Sequence, residues 1–278
     1  MKAESKKFLK KLLASVSPSG YEEEAARVWL AEAETISKNI RHDVHGNAHM
    51  VVNKGGYPRV ILTGHYDEIG FIVSHIDDKG FISIQPIGGW DPQISQGQRV
   101  TIVGKAGKIP GVIGKAPVHW SRGDGDKSIT KISQQWVDIG TASKAETEKL
   151  VAVGDPLVLA QEFVELQGGR FACRGLDDKL GAFIVLEAGR ILAERSIAPE
   201  VHIVATCQEE VGLRGAKTAA FGIDAQIGIA TDVTFATDHP RVGDNLQKYG
   251  DIKIGGGAAV TRGPNVHPRL FDKMREIG

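Results

Sequence analysis

Apolar positions follow two kinds of pattern along this chain. From Glu22 to Ser37 they recur at helical spacing, and "SPSGYEEE" puts Ser19 three residues ahead of Glu22, the spacing of a capping box, so a helix is predicted to start there. In "PRVILTGHYDE", Val60, Ile61 and Leu62 instead form a short continuous apolar run, the pattern of a strand buried on both faces. From about Ile69 to Phe163 the texture changes to short β-type runs divided by glycine-rich turns: "GFIVSHIDDKGFISIQPIGG", "QRVTIVGKAGKIPGVIG" and "QQWVDIG". No helix is expected in this stretch before "SKAETEKLVAVG".

After Arg174 helix and strand alternate again. "LDDKLGAFIVLEAGRILAER" spaces Leu180, Phe183, Ile184, Ile191 and Leu192 helically; "EVHIVATCQEE" reads as a strand, "GLRGAKTAAFG" as a helix and "DAQIGIATD" as another strand. That order implies crossover connections and an α/β fold with a mostly parallel sheet flanked by helices. Residues 1–68 and 164–278 then form one discontinuous α/β domain, and residues 69–163 a small inserted β domain. "IGGGAAVTRGPN" lacks the lysine and hydroxyl residue of a phosphate loop and reads as a turn.

Composition narrows the partners. With 41% hydrophobic content over 278 residues the chain can bury a sizeable core. Lys+Arg and Asp+Glu balance at 34 each, which gives nucleic acid or an anionic membrane no electrostatic hold. The basic amino-terminal stretch is broken by Lys10 and Lys11 and lacks the core of a secretory signal. No run is long enough to span a bilayer. Cys173 and Cys207 make no disulfide framework, suit a cytoplasmic setting and read as small core residues.

The chemistry collects at strand ends. "VILTG" runs into His65 and Asp67, "VHIVATCQ" into Glu209 and Glu210, and "AQIGIAT" into Asp232; Asp177 and Asp178 precede a helix. In open α/β sheets ligands bind at the carboxyl ends of strands. An acidic residue at a strand end is ordinarily a cap, a turn residue or a solvated charge. Here one imidazole and several carboxylates, drawn from four segments, would repel one another unless a cation sat among them. Divalent zinc, cobalt or manganese suits these donors, and two ions could share a bridging carboxylate. Of two adjacent glutamates, one can ligate while the other moves a proton. His75, His119 and His202 weigh less than the strand-end acids as site residues, and His75 and His202 read as structural histidines.

Taken together, "GHYDEIGF", "GLDDKLGA", "QEEVGLRGA" and "ATDV" resemble the two-metal glutamyl/leucyl aminopeptidases that assemble as tetrahedral twelve-subunit particles, the TET aminopeptidases. The likeness extends through "SPSGYEEE", "IGGWDPQ", "IGKAPVHW", "VDIG" and "VGD". It implies a zinc-aminopeptidase-like fold whose insert is a β-barrel that helps subunits dimerise and assemble. It further implies that His65 and Asp232 hold one metal, Asp177 bridges two, Glu210 serves the second, and Glu209 is the general base. Asp67 would orient the imidazole of His65 from behind, and the peptide after Asp177 would be cis. The substrates implied are short peptides, cleaved from the amino end.

Members of that family continue past the equivalent of Gly278 and supply a further histidine to the second metal. His267 in "GPNVHPRL" matches an earlier segment and does not replace it. The expectation is a shortened chain that lacks part of the sheet and of the second metal's coordination. Two other readings stand beside the aminopeptidase: an amidase or deacylase with the same metal centre, and an inactive assembly subunit.

Overall fold

A computed structural model describes residues 1–117, 119 and 129–277; Val118 and Trp120 of the "IGKAPVHW" segment lie outside the described residues. The amino-terminal stretch forms helix α1 (Ala3–Ala14). Phe8, Leu9, Leu12 and Leu13 recur at helical intervals and are buried. Helix α2 (Glu23–Ala33) follows, with Ala25, Ala26, Trp29 and Ala33 on its buried face. The expected capping box does not form: Glu22 stands at the N-cap and its side chain bonds nothing in α2.

Strands β1 (Ile40–His42), β2 (Ala48–Val52) and β3 (Arg59–His65) come next. After the inserted region and a two-stranded ribbon, β10 (Val164–Glu165) with β11 (Phe171–Ala172), the chain makes α5 (Leu176–Ala193), β12 (Glu200–Thr206), α6 (Arg214–Ile223) and β13 (Ile227–Ala230). The five-stranded sheet has the order β1-β2-β12-β3-β13. β12, β3 and β13 are parallel, while β1 and β2 pair antiparallel with each other and β2 antiparallel with β12. The fold is therefore α/β with a mixed sheet, and its antiparallel part is the pair of strands that sequence patterning did not resolve. "AHMVV" carries a histidine in a buried strand, which breaks the apolar run.

Strands β4 (Gly70–Ile76), β5 (Ile82–Ile87), β6 (Arg99–Gly104), β7 (Gly107–Lys115), β8 (Gln135–Asp138) and β9 (Pro156–Leu159) close into a six-stranded barrel. Phe71, Ile82, Ile102, Ile113, Val137 and Leu157 fill it. Helix α4 (Lys144–Leu150) lies where "SKAETEKL" predicts it, but a single turn, α3 (Pro92–Ser95), comes earlier than expected. Proline at its first turn and the Asp91 side chain accepting from Gln93 N–H start it, signals too short to show periodicity.

Residues Met1–Asp232 make one compact unit and Val233–Gly278 a second. The second holds α7 (Asn245–Tyr249) and α8 (Pro268–Ile277), joined by turns that include the glycine-rich "IGGGAAVTRGPN". The exposed His267 gives its carbonyl to the first turn of α8. Among the described residues no helix is long and apolar enough to cross a membrane.

Candidate metal centre

Strand register assembles the site. His65, the last residue of β3, stands opposite Thr206, the last of β12, and Ala230 at the end of β13 stands opposite Thr63. His65, the Cys207–Glu210 segment and Asp232 thereby reach one edge of the sheet. Helix α5 adds Asp177. A Cβ on Gly64 would lie 2.4 Å from the Gly181 carbonyl carbon, so glycine at position 64 is what lets β3 approach α5 this closely. Asp178 fastens the junction: Oδ2 accepts the His65 N–H at 3.2 Å and Oδ1 the Gly181 N–H at 2.9 Å. The Asp177–Asp178 peptide is cis.

His65 is 3% exposed, and its Nε2 has carboxylate oxygens of Asp177 at 3.2 Å, Glu209 at 3.7 Å and Asp232 at 4.0 Å. Glu209 and Asp232 lie beyond hydrogen-bond distance and Asp177 is not aligned to accept, so Nε2 is a buried polar atom without a hydrogen-bond partner. Donor atoms of His65, Glu209 and Asp232 lie within 4.8 Å of one another. Two ligands on one tetrahedral zinc, each about 2.0–2.2 Å from the ion, are about 3.4 Å apart. The spacing and the lone imidazole nitrogen fit a divalent ion.

Charge balance points the same way. Burial works against a charged His65, but Asp177 and Asp67 outweigh it and push its pKa up to about 11. Burial, then the other carboxylates, raise Glu209. Glu210 is pushed up to about 7 by burial and Asp177, and Asp178 to about 7 by burial, with Asp232 adding to it against His65. Several acids whose ionisation is opposed, gathered on one imidazole, form a site short of positive charge.

Asp67 meets both the imidazole of His65 and the glutamate-bearing segment. The imidazole Nδ1 lies 3.1 Å from the main-chain carbonyl of Asp67 and 3.4 Å from its carboxylate Oδ1. The carboxylate also accepts three further donors: Glu209 N–H at 3.0 Å, Glu210 N–H at 3.2 Å and Ser19 Oγ–H at 2.6 Å. Burial of this carboxyl is more than offset by His65 and these donors, and its pKa is lowered. Glu210 stays outside the ligand-spaced trio and borders the barrel, where its Cβ is 3.4 Å from the position a Cβ on Gly88 would take.

The other histidines lie elsewhere. His202 Nε2 pairs with Glu200 Oε1 at 2.8 Å, and His75 and His119 are exposed. Cys207 is buried, as a small core residue, and Cys173 is half-buried.

The sequence profile of the M42 glutamyl aminopeptidases matches residues 46–278. The chain belongs to the M42 glutamyl aminopeptidase family. It is 35% identical to the lysyl aminopeptidase of Pyrococcus furiosus over 97% of this chain and 77% of that protein. An aminopeptidase structure from Desulfurococcus kamchatkensis superposes with a TM-score of 0.88 at 32% identity, covering 99% of this chain and 76% of the other. The TET1 peptidase of Pyrococcus horikoshii, which can assemble into a tetrahedron or a large octahedral shell, superposes with a TM-score of 0.85 at 32% identity, covering 98% and 80%. This M42 member is a metal-dependent aminopeptidase, and so a peptide hydrolase.

Around the M42 site the structure adds residues that motif reading passed over. Glu68, Lys179 and Arg174 form a buried ionic group: Lys179 Nζ lies 2.7 Å from Glu68 Oε1, and Arg174 Nη1 2.6 Å from Oε2. Ser19 and Glu22, which spacing assigns to a helix cap, bond the Asp67 carboxylate and the Gln208 N–H instead. Their signal was the motif "SPSGYEEE" itself, whose partners lie about 50 and 186 residues away in sequence.

Proposed function

We propose that this chain removes amino-terminal residues from short peptides with two divalent ions, zinc or cobalt before manganese, held at the sheet edge. His65 and Asp232 would hold one, Asp177 both, and Glu210 the second. The observation that carries this reading is the buried His65 Nε2, which faces three carboxylates without a hydrogen bond. When bound, the ions polarise the scissile carbonyl and make water a stronger acid.

Glu209 is the general base. Its carboxyl is 26% exposed, sits 3.7 Å from His65 Nε2 and has a raised pKa, so it can accept a proton from the attacking water and hand it to the leaving amine. Asp67 holds the main chain of both glutamates and borders the imidazole. The acidic surroundings that oppose ionisation of these carboxyls also favour a substrate's charged amino terminus over a blocked one.

The subunits would self-associate into dimers and a twelve-subunit particle, a reading supported by the tetrahedron that the TET1 peptidase can form, with the barrel of β4–β9, within residues 69–163, providing assembly contacts outside the catalytic region of residues 1–68 and 164–278. Closure of the barrel supports this, since a rigid body can carry an interface without disturbing the sheet.

Hydrolysis of a panel of unblocked aminoacyl chromogenic amides, with zinc, cobalt or manganese added in turn, tests the activity, with amino-blocked counterparts in parallel. Metal-dependent cleavage of the unblocked series is expected. Turnover restricted to blocked substrates would instead indicate a deacylase.

A further inference from the structure

Three successive backbone N–H groups leaving β12 end on two buried carboxylates. Gln208 N–H is received by Glu22 Oε1 at 3.1 Å, Glu209 N–H by Asp67 Oδ1 at 3.0 Å and Glu210 N–H by Asp67 Oδ2 at 3.2 Å. Ser19 Oγ donates to Asp67 Oδ2 at 2.6 Å, and Glu22 Oε1 also accepts the Gly20 N–H at 2.8 Å. Residues 19–22 therefore hold the glutamate-bearing segment directly through Glu22 and indirectly through the Ser19 bond to Asp67. Ser19, Glu22 and Asp67 are 7%, 8% and 0% exposed, so water does not compete for these bonds.

The gripped segment needs a grip. Gln208 has φ +54°, a left-handed conformation that a side-chain-bearing residue adopts rarely. Two residues with adjacent Cα atoms must also send their carboxylates to different places, Glu209 toward His65 and Glu210 toward the barrel. Where the backbone is pinned, so are the directions of both side chains. A carboxylate buried near Asp67 is otherwise unfavourable, and the Glu22 side chain caps nothing in its own helix.

We propose that Glu22 is a positioning residue for hydrolysis: it braces the segment directly at the Gln208 N–H while Ser19 supports the Asp67 carboxylate that holds Glu209 and Glu210, so that both glutamates point correctly. The proposal rests on the reading of Glu209 as general base. Glu22 acts as a hydrogen-bond acceptor, not as a charge, so an amide oxygen can replace it. Misplacing a catalytic group by an ångström is enough to lower turnover strongly while substrate binding is kept.

The test compares Glu22→Ala, Glu22→Gln, Ser19→Ala and Glu209→Gln with the wild type in the metal-loaded protein. It reads amide hydrogen exchange over peptides spanning 207–211 and steady-state hydrolysis of an unblocked aminoacyl amide. Glu22→Ala is expected to speed exchange in that segment by about tenfold or more and to lower kcat by about tenfold at nearly unchanged KM. Glu22→Gln should restore both. Ser19→Ala, which leaves the Glu22 bonds in place, should speed exchange at 209 and 210 by a smaller factor and keeps the test available if Glu22→Ala does not fold. Unchanged exchange in either alanine variant, or a glutamine variant as impaired as the alanine one, would overturn the brace. Full activity of Glu209→Gln would remove Glu209 from proton transfer, while the exchange data would still decide the brace.

Discussion

Lys179 Nζ sits 2.7 Å from Glu68 Oε1 and 2.7 Å from the Ser15 carbonyl, with both side chains buried. One contact thus joins the α5 segment that carries Asp177 to the β3 end that carries His65 and Asp67. Burial disfavours the ammonium and is only partly offset by Glu68, so its pKa falls to about 8. Glu68 remains below the ordinary carboxylate range because Lys179 and Arg174 outweigh its burial.

Replacing Lys179 by methionine keeps much of the volume and removes one of Glu68's two cations. Breaking a buried ion pair in this way costs about 3 kcal/mol. The urea midpoint is expected to fall accordingly, and a midpoint within error of wild type would show that Arg174 alone satisfies Glu68.

Glu209→Gln preserves shape and the Asp67 bond, which uses the backbone. Turnover of unblocked aminoacyl amides should fall by about 100-fold or more, the scale of general-base catalysis, while the metal content by elemental analysis stays unchanged.

Chelation should abolish hydrolysis, and added zinc, cobalt or manganese should restore it. Asp177→Asn or His65→Ala should lower bound metal per subunit as well as activity, because His65 belongs to the ligand-spaced trio and the Asp177 carboxylate stands 3.2 Å from its Nε2. Full metal occupancy in His65→Ala would sink the ligand assignment.

His49 gives a pH prediction away from the metal site. It is fully buried, with Nε2 2.9 Å from Asp43 Oδ2. Burial lowers its pKa against the pull of Asp43. The unfolded chain therefore takes up this proton first, and stability is complete above the unfolded value of about 6.5 and is lost as pH falls through it. Burial of Asp43 is outweighed by its bonds from His49 and Asn47, which hold its carboxyl well below the usual range, so its contribution is lost only below about pH 4. Urea unfolding between pH 7 and pH 5 should show a slope of up to about 1.4 kcal/mol per pH unit more in the wild type than in His49→Gln. Equal slopes would mean that His49 does not carry this linkage.

Local patterning alone determined a good deal. The continuous run in Val60–Leu62 marked a buried strand, the spacing after Arg174 marked α5, β12, α6 and β13, and glycine-divided β runs marked the strands that close as the barrel. Those readings depend on residues within one or two turns or strands of one another. Acidic residues at strand ends pointed to one site for the same reason: in a parallel sheet every carboxyl end lies at one edge.

Tertiary structure decided the rest. Ser19 and Glu22 have the spacing of a cap, yet their side chains bond Asp67 and Gln208, since a buried carboxylate takes whichever N–H the fold brings within reach. The Asp67 carboxylate, two residues from His65, likewise serves the Glu209 and Glu210 amides. Strand β2 owes its place to pairing with β12 more than 100 residues on, and β1 follows by pairing with β2. Sequence specifies donors, acceptors and periodicity; which donor meets which acceptor across such separations is set by packing, here by the glycine contact that brings β3 against α5.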